Sequence, residues 1–507
     1  MVIAIALFFS ISLACSPSGE LEQEQSGSGT EETSRNIAFS SSDKNLERVF
    51  HWARRMALSY AHDGTDPVGY WIEAALPGRD AFAVRDMLHQ ALGAEPLGLS
   101  KHNWNMTYRF AENISESKDW CTYWEIDKTG GACPADYKSD ANFWYNLPAN
   151  FDMAFSSWRL YEWTGDKRYI EDPTMLYFFD RSFDEYIKKW QLEPDRIMNR
   201  TQYLNNHPET RDWFKSARGL PSYDELKGSH EDDYGAKSIG VGSDLVAYAY
   251  AGFTAYSNIL RHNGETKKAE EATKKAREYY DLLHDEWWNT DINMYMLGKY
   301  YRDEDGLNGT GFISDDGKRP VTARSAVLWV DAVHEPDRAK RCLEAISWMN
   351  AEGCSYLPLM RYRCQWSEKA YDDLYSFLTM YRNEYPEVSY AAIEALVSGL
   401  MGIVPSASKN TLTTMPQLPT NKDYAEMEDV AVLGGHVTVR HEGNTYTEFT
   451  NNTKNELIWK AAFTGVHNRI NVNGKYETTS QETDRIGNKI SYVEVKVKAG
   501  DKVCAKL

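Results

Sequence analysis

The chain of 507 residues is 42% hydrophobic and 13% aromatic, which is enough for a large core and more than one domain. Its formal net charge of -18 argues against a general nucleic-acid surface, because phosphate backbones are bound by lysine and arginine. The sequence has no Walker loop, no dinucleotide-binding glycine motif and no HExxH helix. We therefore expect no nucleic-acid partner, no metal ion and no cofactor.

The first residues are typical of an export signal. Residues 2–14 form an apolar run too short to span a bilayer comfortably, and Ala14 precedes Cys15. Residues 1–15 resemble a bacterial lipoprotein signal in which Cys15 is lipidated, and a plain secretory signal is the alternative. The polar residues 16–38 are predicted to form a disordered tether. We expect a lipid-anchored protein of the bacterial cell envelope, in the periplasm or on the outer-membrane surface.

Two sequence patterns follow each other along the chain. Residues 39–408 show helical periodicity almost throughout, with Gly, Pro and Asn clusters between successive segments. Residues 409–507 alternate apolar and polar side chains with period two, as in "ISYVEVKVKAGDKV". This order predicts a mainly α protein, an (α/α)6 toroid with a C-terminal antiparallel β-sandwich domain. A helical-repeat solenoid is the competing architecture, although no fixed period is visible.

Six of the seven cysteines follow Cys15. An even number permits disulfides in an exported chain. The pairs closest in sequence are Cys121 with Cys133 and Cys354 with Cys364, and buried free thiols are the alternative. No CxxC pair supports a metal site.

The segment "AFAVRDMLHQALG" carries a polar stripe on an otherwise apolar helix. At about 100° per residue, one arc holds Phe82, Arg85, Asp86, His89 and Gly93. A solvated surface face is one interpretation. The stripe lacks the Lys and Glu of most surface helices, which favours an inner helix that turns these groups toward a central cleft.

A second helix, "PEVSYAAIEALVSGL", begins at Pro386 and carries Glu387 in its first turn. The N-terminus of a helix favours a charged carboxylate, so we expect the pKa of Glu387 to be lowered. That environment suits a general base, although a simple helix-start glutamate fits the pattern too.

Aromatic side chains are interleaved with polar ones between residues 120 and 152. Trp124 and Trp144 lie close in sequence to Glu125, Asn150 and Asp152. Sugar rings need apolar faces for stacking and polar groups for their hydroxyls, so this cluster favours a carbohydrate-binding cleft. Core packing remains the alternative for any single tryptophan.

These motifs resemble those of six-hairpin glycoside hydrolases, the group of glucoamylases, glycogen-debranching α-glucosidases and α-L-rhamnosidases. "AVRDMLHQ" is similar to the Arg-Asp element that holds the sugar in the cleaved subsite, which implies substrate binding by Arg85, Asp86 and His89. "LPSYDE", followed by "GVGSDLVAYAYAGF", resembles the acid-bearing loop and the next helix. The resemblance implies that Glu225 is the general acid and Glu387 the general base.

The sequence therefore predicts an exported, inverting glycoside hydrolase that needs one acid and one base carboxyl group. Other acids in the same loop compete with Glu225, namely Asp224, Glu231, Asp232 and Asp233. The substrate-binding candidates are Arg85, Asp86, His89, Trp124, Glu125, Trp144, Asn150 and Asp152. Two other functions remain open: a polysaccharide lyase that uses His89, Asn103, Tyr145 and Arg85, and a non-catalytic surface glycan-binding lipoprotein.

Overall fold

The computed structural model describes most of the chain after residue 36. The described residues are 37–74, 78–199, 218–220, 222–223, 240–300, 314–315, 319–320, 326–346 and 350–507. Three predicted features lie outside them: the lipidated Cys15, the general acid Glu225 and the competing acids Asp224, Glu231, Asp232 and Asp233.

The first part of the described chain is mainly helical. Its helices are α1 (Lys44–Ser59), α2 (Val84–Ala94), α3 (Ser100–Glu112), α4 (Pro148–Thr164), α5 (Arg168–Glu171), α6 (Pro173–Ser182), α7 (Glu185–Trp190), α8 (Ser243–His262), α9 (Thr266–Glu286), α10 (Ala326–Trp329), α11 (Pro336–Ala345), α12 (Leu357–Arg363), α13 (Ser367–Ser376) and α14 (Pro386–Glu394). A π-helical turn, Ala395–Leu400, follows α14.

Local sequence explains where several helices begin. The carboxylate of Asp43 accepts the free backbone N–H groups of Asn45 and Leu46, so α1 begins at the next residue. Helices α4 and α14 start on Pro148 and Pro386, where the missing N–H of proline costs no hydrogen bond. Helix α2 begins at Val84, so Phe82 is a strand residue. The expectation that Phe82 lies on the helical stripe with Arg85 is therefore wrong.

Four helices pack side by side, in the order α14, α2, α4 and α8. Two glycines permit the close approaches. A Cβ on Gly93 of α2 would stand 2.0 Å from the carbonyl oxygen of Tyr390 in α14, and a Cβ on Gly252 of α8 would stand 2.8 Å from the backbone of Phe151 in α4. Any larger side chain at these two positions would push the helices apart.

Short strands connect the helices. They are β2 (Ala61–Asp63), β3 (Tyr70–Ile72), β4 (Ala81–Ala83), β5 (Glu125–Asp127), β6 (Tyr137–Ser139), β7 (Asn142–Phe143), β8 (Tyr145–Asn146), β9 (Arg218–Leu220), β10 (Gly240–Gly242), β11 (Trp288–Asn289), β12 (Met294–Tyr295), β13 (Gly298–Tyr300), β14 (Ser314–Asp315) and β15 (Arg319–Pro320). The pair β4 and β5 leads directly into α2, and Ala83 lies opposite Glu125 in its register.

The C-terminal part is β structure. Its strands are β16 (Val404–Ser406), β17 (Thr411–Thr414), β18 (Tyr424–Val432), β19 (Gly435–Glu442), β20 (Tyr446–Asn451), β21 (Leu457–Thr464), β22 (Arg469–Val472), β23 (Lys475–Thr478), β24 (Ser480–Thr483), β25 (Lys489–Val497) and β26 (Lys502–Lys506). Together with β1 (Ala38–Ser41) they form a seven-stranded sheet, ordered β1-β18-β19-β20-β26-β22-β23, and a five-stranded sheet, ordered β16-β17-β21-β25-β24.

Two features of these sheets were not expected. The first strand of the larger sheet is β1 (Ala38–Ser41), which precedes all the helices and pairs with β18. In the smaller sheet, β17 and β21 pair in parallel, whereas the sequence predicts antiparallel strands only. The coarse prediction of a mainly helical part followed by β structure is confirmed.

The two sheets share a core of alternating buried side chains. Phe449 of the larger sheet and Trp459 of the smaller one are both fully buried, and their rings stack with centroids 5.3 Å apart. Along β20 the pattern alternates between partly buried and buried, as a strand with one face on the core requires. Within the described part of the chain, no helix is both long enough and apolar enough to cross a membrane.

The cysteines do not form the pairs expected from their spacing. Cys133 and Cys364 are free thiols, so neither the Cys121 pair nor the Cys354 pair is a disulfide. Both thiols are buried, and this burial raises the pKa of Cys133 to about 11 and that of Cys364 to about 12.

Candidate functional site

The candidate site lies where the N-terminal turns of four packed helices meet. Helix α2 contributes Arg85 and Asp86, α4 contributes Asp152, and α14 contributes Glu387. Helix α8 contributes Tyr248 in its second turn. Each carboxylate is buried near the positive end of a helix dipole, which helps to stabilise a negative charge that water cannot reach.

A hydrogen-bond network joins α2, α4 and α8. The Nε2 atom of His89 lies 3.1 Å from Oδ2 of Asp152 and 2.8 Å from the hydroxyl of Tyr248. The hydroxyl of Tyr223 donates to the same Oδ2 atom at 3.1 Å. Asp152 is fully buried, so these donors replace the water that its carboxylate has lost.

Arg85 lies between two aromatic rings at the edge of this network. Its guanidinium carbon is 5.8 Å from the centroid of Trp124 and 5.9 Å from that of Tyr223. It donates to the backbone carbonyl of Tyr223 at 3.2 Å, and its Nε is 3.7 Å from Oδ1 of Asp86. The side chain stays partly accessible, with 26% of its surface exposed.

Glu387 and Asp86 each bury an oxygen that no described group satisfies. Glu387 is 5% and Asp86 4% exposed, and neither Oε2 of Glu387 nor Oδ2 of Asp86 has a hydrogen-bond partner among the described residues. Native proteins bury few such atoms, and those that remain require an explanation. A ligand hydroxyl or a water molecule would satisfy both.

The expected lowering of the pKa of Glu387 is wrong. Burial, as the largest cause, and the nearby charge of Asp86 raise the pKa of Glu387 well above its usual value. The helix N-terminus does not compensate, because a dipole of about half a charge is weaker than the loss of hydration together with a full like charge. Glu387 is therefore a stronger proton acceptor than its position alone predicts.

Two aromatic residues complete the site, and the sequence analysis missed both. The rings of Tyr356 and His89 pack edge-on, with centroids 5.3 Å apart. The ring of Trp329 packs against Tyr356, with centroids 4.5 Å apart. The charges of Glu387 and Asp86 add to burial in raising the pKa of Tyr356. No local pattern marks either residue, because each belongs to a short helix or to a turn without a periodic stripe.

Three other predicted substrate-binding residues are held by contacts outside the network of His89. The buried carboxyl group of Glu125 lies 2.9 Å from Nε of Arg79, and burial together with Asp136 raises its pKa to about 9. The amide of Asn150 bonds to Tyr145, Trp120 and Ser182. The indole of Trp144 donates to Asn146 at 2.7 Å. These contacts engage all three side chains in the fold, whereas Arg85, Asp86, His89, Trp124 and Asp152 do come together.

The residues of the alternative lyase site are not brought together. The amide of Asn103 donates to the carbonyl of Ala91 and to the carboxyl group of Glu95. These acceptors lie at the C-terminal end of α2, whereas Arg85 lies at its N-terminal end. The hydroxyl of Tyr145 donates to Asn150 at 2.6 Å. Of the four residues in that hypothesis, Arg85 and His89 take part in the contacts of the site, and the ring of Tyr145 packs against Trp124 with centroids 6.1 Å apart.

Comparison with known proteins supports the fold. No family model matches the sequence, and no curated protein matches it. The α-L-rhamnosidase of Dictyoglumus thermophilum is 14% identical with a TM-score of 0.56, and the match covers 93% of this chain and 50% of that one. The α-L-rhamnosidase of Aspergillus terreus is 12% identical with a TM-score of 0.49, and the match covers 93% of this chain and 51% of that one.

A bacterial glucoamylase complexed with acarbose is 11% identical, with a TM-score of 0.41 and coverage of 70% of this chain and 56% of that one. Of these three structures, the first has a TM-score above 0.5 and shares the fold of this chain. This chain spans about half the length of that rhamnosidase, 50% by coverage. The resemblance to six-hairpin glycosidase-type folds, inferred from short motifs, is confirmed at the level of the fold.

Proposed function

We propose that this protein is a glycoside hydrolase that acts with inversion on an oligo- or polysaccharide. The observation that carries the proposal is the buried Glu387, whose free oxygen lies near Asp86, Tyr356 and Arg85 at the meeting point of the helices. A buried carboxyl group of raised pKa in a site lined by aromatic rings suits proton transfer on a sugar.

In this proposal Glu387 is the general base. It takes a proton from water, and that water attacks the anomeric carbon while the glycosidic bond breaks. A raised pKa makes the carboxylate more basic and brings its working range closer to neutral pH. Arg85 and Asp86 bind sugar hydroxyls, and the ring of Trp124 beside Arg85 supplies an apolar face.

Glu225 is proposed as the general acid. The similarity of "LPSYDE" to an acid-bearing loop supports this role. Tyr223, two residues before Glu225 in the sequence, belongs to the site, since its carbonyl accepts from Arg85 and its hydroxyl donates to Asp152. Asp224 remains the nearest competing acid in the sequence.

We further propose that the helices close into an (α/α)6 toroid around this site. The packing of α14 on α2, of α2 on α4 and of α4 on α8 supplies a contiguous arc of inner helices. The likeness in fold to an α-L-rhamnosidase supports the same closure.

Leaving-group dependence tests the two carboxylates. Glu225→Gln should slow natural oligosaccharides far more than activated aryl glycosides, because a good leaving group needs little protonation. Glu387→Gln should slow both substrate classes alike, since water still needs its base. Glu344→Gln, at an exposed position of α11, is the matched control and should behave as the native protein.

Product analysis on a panel of oligosaccharides separates the competing functions. A hydrolase yields saturated reducing sugars, a lyase yields products that absorb in the ultraviolet, and a glycan-binding protein yields no product. Near-normal turnover of Glu387→Gln would refute the assignment of the base, and the absence of any product would refute hydrolysis.

A further inference from the structure

Three arginines from distant parts of the chain gather beside Trp329 at the edge of the candidate site. Arg159 of α4 and Arg363 at the end of α12 lie over the Trp329 ring, with guanidinium carbons 4.6 Å and 5.4 Å from its centroid. Arg485, in the loop between β24 and β25, donates to the carbonyl of Leu328 at 3.1 Å. We call these three residues the arginine cluster.

The arginine cluster has direct ion pairs with two carboxylates. Arg159 and Arg363 share one oxygen of the buried Glu394, at 2.9 Å and 3.9 Å, and Arg485 pairs with Asp331. A third carboxylate nearby, Asp484, accepts hydrogen bonds from the side chains of Gln365 and Asn488.

Arg363 has the longest polar contacts of the three arginines. Within the described part of the chain, its guanidinium group lies 3.9 Å from Glu394 and 3.5 Å from the carbonyl of Trp329. A guanidinium group has five N–H donors in a planar fork, which is more than these two acceptors can engage. Burial and the charges of Arg485 and Arg159 lower the pKa of Arg363 to about 10, although at that value it stays cationic at neutral pH.

The arginine cluster is within reach of both solvent and the site. The exposed fractions of the side chains are 14% for Arg159, 27% for Arg363 and 23% for Arg485. Trp329, on which two of them stack, has its ring centroid 6.3 Å from that of His89. A saccharide bound at His89 would therefore bring a neighbouring substituent close to the guanidinium groups.

We propose that the arginine cluster binds an anionic group of the saccharide substrate, the carboxylate of a uronic acid or a sulfate ester. This inference rests on the proposed function, and it names the substrate class for the same site. Carboxylate and sulfate oxygens match the planar donor fork of arginine, and a partly buried, charge-assisted pair is strong enough to select a charged sugar over its neutral counterpart.

Binding to matched saccharides tests the proposal without relying on turnover. The native protein is titrated by calorimetry with a panel of neutral, uronate-containing and sulfated oligosaccharides, and with inorganic phosphate. We expect binding to at least one acidic saccharide, weakened by added salt because the contact is ionic. The uronate and sulfate arms identify which anionic group is recognised.

The variants Arg363→Gln and Arg485→Gln should weaken binding of that acidic saccharide by about tenfold or more, the usual scale of a lost charged hydrogen bond. Arg363→Lys should restore part of the affinity, since it keeps the charge but loses the fork. Arg440→Gln, which removes a partly exposed arginine of strand β19, is the matched control and should bind the acidic saccharide as the native protein does.

Several results would overturn the inference. Binding to neutral saccharides only, to phosphate only, or to no member of the panel would do so, and so would an equal affinity of Arg363→Gln. Hydrolysis of a neutral saccharide that is unaffected by the arginine variants would refute this inference and leave the proposed function standing. Tight binding of an acidic saccharide without any product would refute the hydrolase and retain the anion site.

Discussion

The Nε2 atom of His89 lies 3.1 Å from Oδ2 of Asp152, although the two residues are 63 positions apart in the chain. This contact joins α2 to α4 at the point where Tyr223 and Tyr248 also meet. The hydroxyl of Tyr223 donates to the same carboxylate, so the buried Asp152 is held in place and in turn orients the imidazole of His89. We propose that Asp152 positions His89 for the substrate.

Asp152→Asn should lower kcat/KM by about tenfold or more, because His89 and Tyr223 lose a charged acceptor. The melting temperature should change little, since an amide is cheaper to bury than a carboxylate. Steady-state kinetics and thermal denaturation measure the two effects. Ser156→Ala removes a longer contact of 3.3 Å to the same carboxylate and serves as the control. An unchanged kcat/KM would exclude the positioning role.

Glu387 must be ionised to act as a base, so activity should fall as the pH drops through its pKa. Burial and Asp86 raise that pKa above the ordinary 4.5, and the acidic limb of the kcat/KM profile should lie correspondingly higher. Asp86→Asn should move this limb toward lower pH, because it removes a negative charge that favours the protonated form.

The pH profile of Asp337→Asn, at an exposed position of α11, provides the control for the loss of one carboxylate and should match that of the native protein. An acidic limb that stays in place in Asp86→Asn would show that the two carboxyl groups are not coupled. The comparison uses the position of the limb and does not depend on the absolute rate.

Gly93→Ala should destabilise the protein, even though alanine is the better helix former. Its Cβ would stand 2.0 Å from the carbonyl of Tyr390, and overpacking costs about 1–3 kcal/mol against a gain of about 1 kcal/mol in helix propensity. Urea denaturation measures the difference. Gly131→Ala, whose new Cβ would meet only Thr129 at 3.7 Å, should be nearly neutral. Equal stability of the two variants would contradict the close packing of α2 on α14.

Cys15→Ser should release the protein from the membrane fraction, because acylation of that thiol is the proposed anchor. In the sequence, Cys15 follows the apolar run of residues 2–14 and precedes a polar segment. Fractionation of cells with detection of the protein in each pool is the measurement, and Ser16→Ala is the neighbouring control. If Cys15→Ser still sedimented with membranes, the lipidation proposal would fail.

Local sequence alone determined a large part of the architecture. Helical periodicity before residue 409 and period-two alternation after it predicted the change from helices to sheets, because both patterns arise within a few residues. Pro386 marked the start of α14 and placed Glu387 in its first turn. The polar stripe of α2 predicted that Arg85, Asp86 and His89 lie on one side of this helix, because residues three and four apart share a face.

The tertiary structure decided everything that depends on which segments meet. The pairing of β1 with β18 joins positions far apart in sequence, so no local pattern predicts it. Glu125 and Asn150 share the polar and aromatic surroundings of Trp124 in sequence, yet Glu125 contacts Arg79 and Asn150 contacts Tyr145, and neither partner could be read from the sequence. The sequence shows which residue types are available, whereas long-range packing decides their partners.

The same distinction holds for charge. The sequence correctly put Glu387 at a helix N-terminus, but it could not show the burial and the neighbouring Asp86 that together raise its pKa. It also gave no sign that Arg159, Arg363 and Arg485 meet around Trp329. A pKa and an anion site depend on distance and on exclusion of water, and both are properties of the folded chain rather than of its residue order.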